Sequence, residues 1–147
     1  MSKEIESLVR QHHECDDQLN RIEAALQKGD SSSALRNFRL FNEFLDAHFV
    51  LEEKKLFPAL EKITGMTNGP TEVMRQEHQQ IRSLKDELKS ALDLKQTDHA
   101  LSTIDTLNVM IQQHNIKEEN ILYPMCEARI PDLTSALSMG GCCGGCS

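Results

Sequence analysis

The chain has no tryptophan, one tyrosine and five phenylalanines, so aromatics supply only 4% of its 147 residues. Leu, Ile and Met must therefore fill most of any core. No apolar run approaches the roughly 20 residues that a membrane-spanning helix needs, and the opening MSKEIESLVRQHHE lacks the apolar centre of a signal peptide. Lys and Arg form no cluster, and a net charge of −7 offers no basic face to displace the counterions of nucleic acid. Five cysteines is an odd number, and three of them crowd the last six residues, which is no disulfide framework. These absences predict a cytoplasmic protein without nucleic-acid or membrane partners. They leave its oligomeric state open.

Proline and glycine are confined to a few places, and the stretches between them carry helical periodicity with nothing resembling a strand. A first segment is expected over 2–28, with Ser2 as N-cap and Gly29 just past its end. A second starts in DSSS at 30–33 and runs past Phe57-Pro58 toward Gly65. A third opens at NGPT, with Pro70 suited to a first helical position, and runs to about Leu94. A fourth runs from near Thr97 to around Pro124, and a short helix can follow Pro131. Short connections between four long helices imply an all-α, up-down-up-down four-helix bundle over 1–128. Residues 129–147 would add the short helix and a flexible Gly/Cys tail.

Helices in a bundle bury positions three and four apart. That stripe is Ile5, Leu8, His12, Cys15, Leu19, Ile22 and Leu26 in the first segment, and Leu35, Phe38, Phe41, Leu45, His48, Glu52 and Leu56 in the second. The third gives Met74, His78, Ile81, Leu84 or Lys85, Leu88 and Leu92. The fourth gives Leu101, Ile104, Leu107, Ile111, His114, Glu118 and Leu122. HFVLEEKKLFPAL at 48–60 recurs as HNIKEENILYPMC at 114–126, and the same offset of 66 carries His12 to His78 and Leu8 to Met74. The chain thus reads as two copies of one helical hairpin, each placing two His and one Glu inward. His13 lies about 100° round the helix from His12 and falls off the stripe. His99 has no mate in the repeat and is expected at the surface.

A single inward His is ordinarily a hydrogen-bonded core residue, and a single HxxxE a solvated helical pair. Four His and two Glu at matched depth are different, because unliganded they would each cost about 1–3 kcal/mol for want of partners. A metal site resolves the conflict. Imidazole plus carboxylate without thiolate suits iron or manganese more than structural zinc. Six side chains exceed the needs of one ion with an open position and suit two ions, with Glu52 and Glu118 placed to bridge them.

At this point the sequence resembles the hemerythrin-like (HHE cation-binding) family over about residues 1–128. The resemblance rests on His12, HFVLEE, RQEHQQI and HNIKEENILYP. It implies a four-helix bundle holding two non-haem iron ions with an oxo or hydroxo bridge. Carried over, His12 and His48 bind one iron, His78 and His114 the other, and Glu52 and Glu118 bridge. The family's oxygen carriers have a fifth His one turn before the third-helix His, where this chain has Met74, a poor ligand for oxidisable iron. The remaining pattern, H…HxxxE…H…HxxxE, is similar to symmetric variants among iron sensors and iron-centre repair proteins. The carriers also take their last carboxylate five residues after His, which here is Glu119, whereas Glu118 keeps the stripe and the symmetry.

With two His per iron, the resemblance implies reaction with a small gaseous or peroxide ligand (dioxygen, peroxide or nitric oxide), fed by an electron donor that the sequence does not identify. A carrier or sensor without turnover, or an iron-handling protein, are the alternatives. Cys15 and Cys126 read as small core residues, and Tyr123, the mate of Phe57, as packing with its hydroxyl reaching the rim. Cys142, Cys143 and Cys146 bring three thiols onto glycine hinges. Metal hand-over, redox exchange, pairing with a second chain, or no essential role are all open to them.

Overall fold

A computed structural model describes residues 2–138, so Cys142, Cys143 and Cys146 and the tail that carries them lie outside the described residues. Helix α1 (Lys3–Gln27) starts where the Ser2 hydroxyl accepts from the Ile5 N–H at 3.2 Å, leaving one fewer orphan donor in the first turn. It ends at Gly29, whose φ of 75° is the left-handed conformation that closes a helix C-terminus. The Asp30 N–H then donates back to the Ala25 carbonyl, and the Asp30 side chain caps α2 (Ser31–Leu51) through the Ser33 N–H. Helix α4 (Pro70–Asp93) opens on Pro70, which has no amide hydrogen to leave unpaired. The turn into α5 (Thr97–Lys117) repeats the first one with the Gln96 N–H on the Ala91 carbonyl, but Lys95 instead of glycine sits at φ 56°.

The expected second and fourth segments are each one rod with a widened turn inside. After α2 comes a π-helical turn, Glu52–Leu56, then α3 (Phe57–Thr64). After α5 comes a second, Glu118–Leu122, then α6 (Tyr123–Arg129). In both, the N–H of the aromatic residue reaches back five residues, Phe57 to the Glu52 carbonyl and Tyr123 to the Glu118 carbonyl. Pro58 and Pro124 follow directly. Proline lacks the N–H and clashes with a carbonyl four residues back, and the wider turn accommodates it without ending the rod. The fourth segment therefore continues to Arg129, beyond the Pro124 stop expected from sequence. A short α7 (Leu133–Leu137) follows, capped by Asp132 through the Ser135 N–H.

Helix α1 packs on α2 and α5, and α4 packs on α5 and α2, closing a ring of four. The described residues form an all-helical bundle of the kind the periodicity implies. The stripe is buried as expected, with two mirrored adjustments: Ala34 and Ala100 fill the innermost positions while Leu35 and Leu101 are half-buried. In the third segment Lys85, not Leu84, is the buried alternative. The apolar core is in two parts. One runs from Cys15 and Ile81 toward the Ala25, Ala34, Leu92 and Ala100 end. The other joins Ile5, Leu8, Leu56, Phe57, Met74, Leu122 and Tyr123 to Cys126, Ile130 and Leu133. Between them, along every long helix, lies the layer of His and Glu. The layer is therefore shielded by hydrocarbon above and below.

Candidate metal centre

All six inward residues are buried: His12, His48, Glu52, His78, His114 and Glu118. They converge as two quartets that share both carboxylates, His12/His48/Glu52/Glu118 and His78/His114/Glu52/Glu118, with the ligand-capable atoms of each quartet within 4.8 Å of one another. Glu52 places Oε2 3.3 Å from His48 Nε2 and Oε1 3.2 Å from His78 Nε2. Glu118 does the same in mirror image, with Oε1 3.0 Å from His12 Nε2 and Oε2 3.2 Å from His114 Nε2. Each carboxylate thus presents one oxygen to each imidazole pair. His13 and His99 are exposed, as expected, and the His99 ring meets Glu87 at the surface.

The outward nitrogen of every imidazole is held. His12 Nδ1 lies 2.7 Å from Glu119 Oε2, and its mate His78 Nδ1 lies 2.6 Å from Glu53 Oε2. His48 Nδ1 meets Gln11 Oε1 at 2.7 Å, and its mate His114 Nδ1 meets Glu77 Oε1 at 2.7 Å. All four partners are acceptors, so Nδ1–H donates outward and the Nε2 lone pair is left for the centre, the usual arrangement around a bound metal. Arg82 grips Glu53 with two hydrogen bonds, at 2.8 and 3.1 Å, and Lys117 pairs with Glu77. This resolves the two adjacent glutamates of each EE pair. Glu118 is fully buried and faces inward, while the Glu119 side chain is 32% exposed and supports His12 from outside.

The electrostatics follow from charges confined in hydrocarbon. Burial pushes His48 down, but the Glu52 charge and bonds with Glu118 and Glu52 outweigh it and raise it to about 9. Burial likewise pushes His78 down, but its bonds with Glu118, Glu52 and Glu53 outweigh it and raise it to about 10. Burial pushes Glu118 up, and the His114 charge with bonds from His114, His12 and His48 holds it well below the usual carboxylate range. Glu52, pushed up by burial and by Glu118, is still held low by the imidazoles.

Four inward atoms make no well-directed hydrogen bond and meet one another only as ion-pair contacts at 3.2 Å: Glu52 Oε1 with His78 Nε2, and Glu118 Oε2 with His114 Nε2. All belong to one quartet. Buried polar atoms left without such a bond at this density are unusual, and a cation at their common focus would satisfy the four together. The chemistry of the set, imidazole and carboxylate without thiol, fits a metal of the iron and manganese kind.

Two things were missed in the sequence. The π-helical turns leave no mark in hydrophobic periodicity, although the mirrored Pro58 and Pro124 could have signalled them. Tyr123 is not at the rim. Its hydroxyl is buried at 2.5 Å from Glu52 Oε2, 3.0 Å from Glu118 Oε1 and 3.2 Å from His12 Nε2. The π-helical turn puts residue i+5 over residue i, so Tyr123 lies over Glu118. Burial, then the charges of Glu118 and Glu52, push its phenol well above the usual value, and the hydroxyl donates to both carboxylates.

Fold and site together define a four-helix bundle with a buried His/Glu metal-binding centre. A family model described as the hemerythrin HHE cation binding domain matches residues 3–126. The chain belongs to that family. No curated protein and no solved structure gives a significant match.

Proposed function

We propose that the two quartets hold a pair of iron ions and that the protein reacts with dioxygen, peroxide or nitric oxide at this centre. His12, His48, His78 and His114 would be terminal ligands, and Glu52 and Glu118 would bridge. The observation that carries this reading is the double spanning by the carboxylates, each with one oxygen at either imidazole pair. A pair of ferrous ions bound there would supply two electrons to a small oxidant.

The chain's own residues do the rest. Glu53, Glu77, Glu119 and Gln11 fix the four ring orientations, so little reorganisation is required on loading. Phe49 stacks on His78 at 3.8 Å, and Phe57 and Leu56 close the layer from the other side, keeping bulk water out. Buried Met74 occupies the place of a fifth imidazole and offers no nitrogen. That favours consumption of the oxidant over reversible carriage. The expected partners are the small oxidant and an electron donor. The free Cys15 and Cys126 fit a reducing cytoplasm, and no helix among the described residues is long and apolar enough to cross a membrane.

Stopped-flow mixing of the iron-loaded, reduced protein with oxygen, peroxide and nitric oxide in turn tests the reading. Irreversible oxidation by at least one of them is expected. A reduced spectrum that returns on degassing after oxygen exposure would instead make the protein a carrier.

A further inference from the structure

Tyr123 and Phe57 are mates in the repeat, and their rings take equivalent places. Tyr123 stacks on His12 with centroids 5.7 Å apart and planes at 19°; Phe57 stacks on His78 at 5.6 Å and 29°. The hydroxyl is the difference. Its oxygen is near three atoms, Glu52 Oε2, Glu118 Oε1 and His12 Nε2, and all three belong to the His12/His48 quartet.

The spacing has a meaning. Donor atoms about 2.1 Å from one ion and at right angles to each other lie about 3 Å apart. Within this quartet His12 Nε2 is 3.2 Å from His48 Nε2 and 3.0 Å from Glu118 Oε1, and His48 Nε2 is 3.3 Å from Glu52 Oε2. Tyr123 Oη, at 2.5, 3.0 and 3.2 Å from its neighbours, sits among them at the separations of a further donor. The opposite quartet has only the Phe57 ring there, and its four inward atoms are the ones without a well-directed hydrogen bond.

We propose that Tyr123 is a fifth protein ligand to the ion held by His12 and His48, which leaves the His78/His114 ion as the one with exchangeable positions. The inference rests on the di-iron reading above. On coordination the metal–oxygen bond replaces the O–H bond, the proton passes to solvent base, and no electron moves. An apolar groove of about 210 Å³ is lined by Pro70, Val73, Met74, Lys117, Ile121 and Leu122, and Met74 lies one turn before His78.

The test compares the oxidised, iron-loaded full chain with Tyr123→Phe, a change that keeps the packed ring. Iron is counted per chain, visible absorption and resonance Raman spectra are recorded, and azide is titrated. The wild type is expected to hold two irons and to show a phenolate-to-iron band with tyrosine ring modes. Tyr123→Phe should lose band and modes, and azide uptake should rise from one to two per chain. Loss of one iron together with the band would support the same assignment. Two irons in the wild type without any phenolate signal would overturn it, leaving Tyr123 as a hydrogen-bond donor to Glu52. A wild-type chain that takes up no iron would overturn the di-iron reading as well.

Discussion

Glu119 reaches from the second hairpin to His12 of the first at 2.7 Å, and Glu53 returns the contact from the first hairpin to His78 of the second at 2.6 Å. The two halves of the repeat are thus cross-braced outside the centre. Each brace fixes a ring that would otherwise pivot about its Cβ–Cγ bond.

Glu53→Gln should keep the fold and weaken metal retention. Losing the charge behind a metal-bound imidazole typically lowers affinity about 10–100-fold. Competition against a chelator, wild type beside variant, measures it. Glu119→Gln should behave alike through His12. Equal retention in both variants and wild type would mean that the outer acceptors do not matter.

The two halves also differ where the turns are concerned. Gly29 and Asp30 close the first hairpin, while their mates Lys95 and Gln96 place a side chain at φ 56° and leave α5 without a side-chain cap. Lys95→Gly should stabilise the chain by about 1 kcal/mol by relieving the left-handed strain. Gln96→Asp should add about 1 kcal/mol by capping the new helix. Urea denaturation of the metal-free protein gives both numbers, and a loss in either variant would contradict the comparison.

Metal-free stability should have a defined pH window. Imidazoles raised from 6.5 to about 9 and about 10 at His48 and His78 contribute stability fully below 6.5 and lose it as pH rises through those values. Carboxylates held low act the other way. Glu53, lowered from 4.5 to about 2 despite burial by its bonds to His78 and Arg82, contributes above 4.5 and loses that as pH falls toward 2. Thermal melts of the metal-free chain should therefore peak between 4.5 and 6.5 as far as these groups go. Metal binding needs bare Nε2, so the loaded protein should gain stability over the range where the metal-free one loses it. A metal-free melting temperature that climbs from about pH 6.5 to about pH 10 would contradict the sign.

Much of this was legible from spacing alone, and the reasons are specific. The 66-residue offset places His12, His48, His78 and His114 at one depth because a helix repeats its inward face every three to four residues. What spacing cannot convey is a local change of helical pitch. The HxxxEE runs are compatible with an unbroken α-helix, so both π-helical turns went unseen, and with them the placement of Tyr123 over Glu118. The supporting acceptors were hidden for another reason. Gln11 and Glu77 precede His12 and His78 in sequence but serve His48 and His114 across the hairpin, a contact that no single-helix pattern encodes.

Adjacent histidines give a sharp check on register. His12 is buried in the centre and His13 is exposed. His13→Ala should leave iron content unchanged, while His12→Ala should lose about half of it, because one of two ions loses a ligand. Metal analysis of the purified variants decides, and the reverse pattern would mean α1 is turned by one residue.

Anomalous diffraction at the iron edge, from crystals of the iron-loaded chain, tests the central claim most directly. The account predicts two peaks, one among His12, His48, Glu52 and Glu118 and one among His78, His114, Glu52 and Glu118. A single peak, or a lone ion with the six side chains splayed apart, would contradict it.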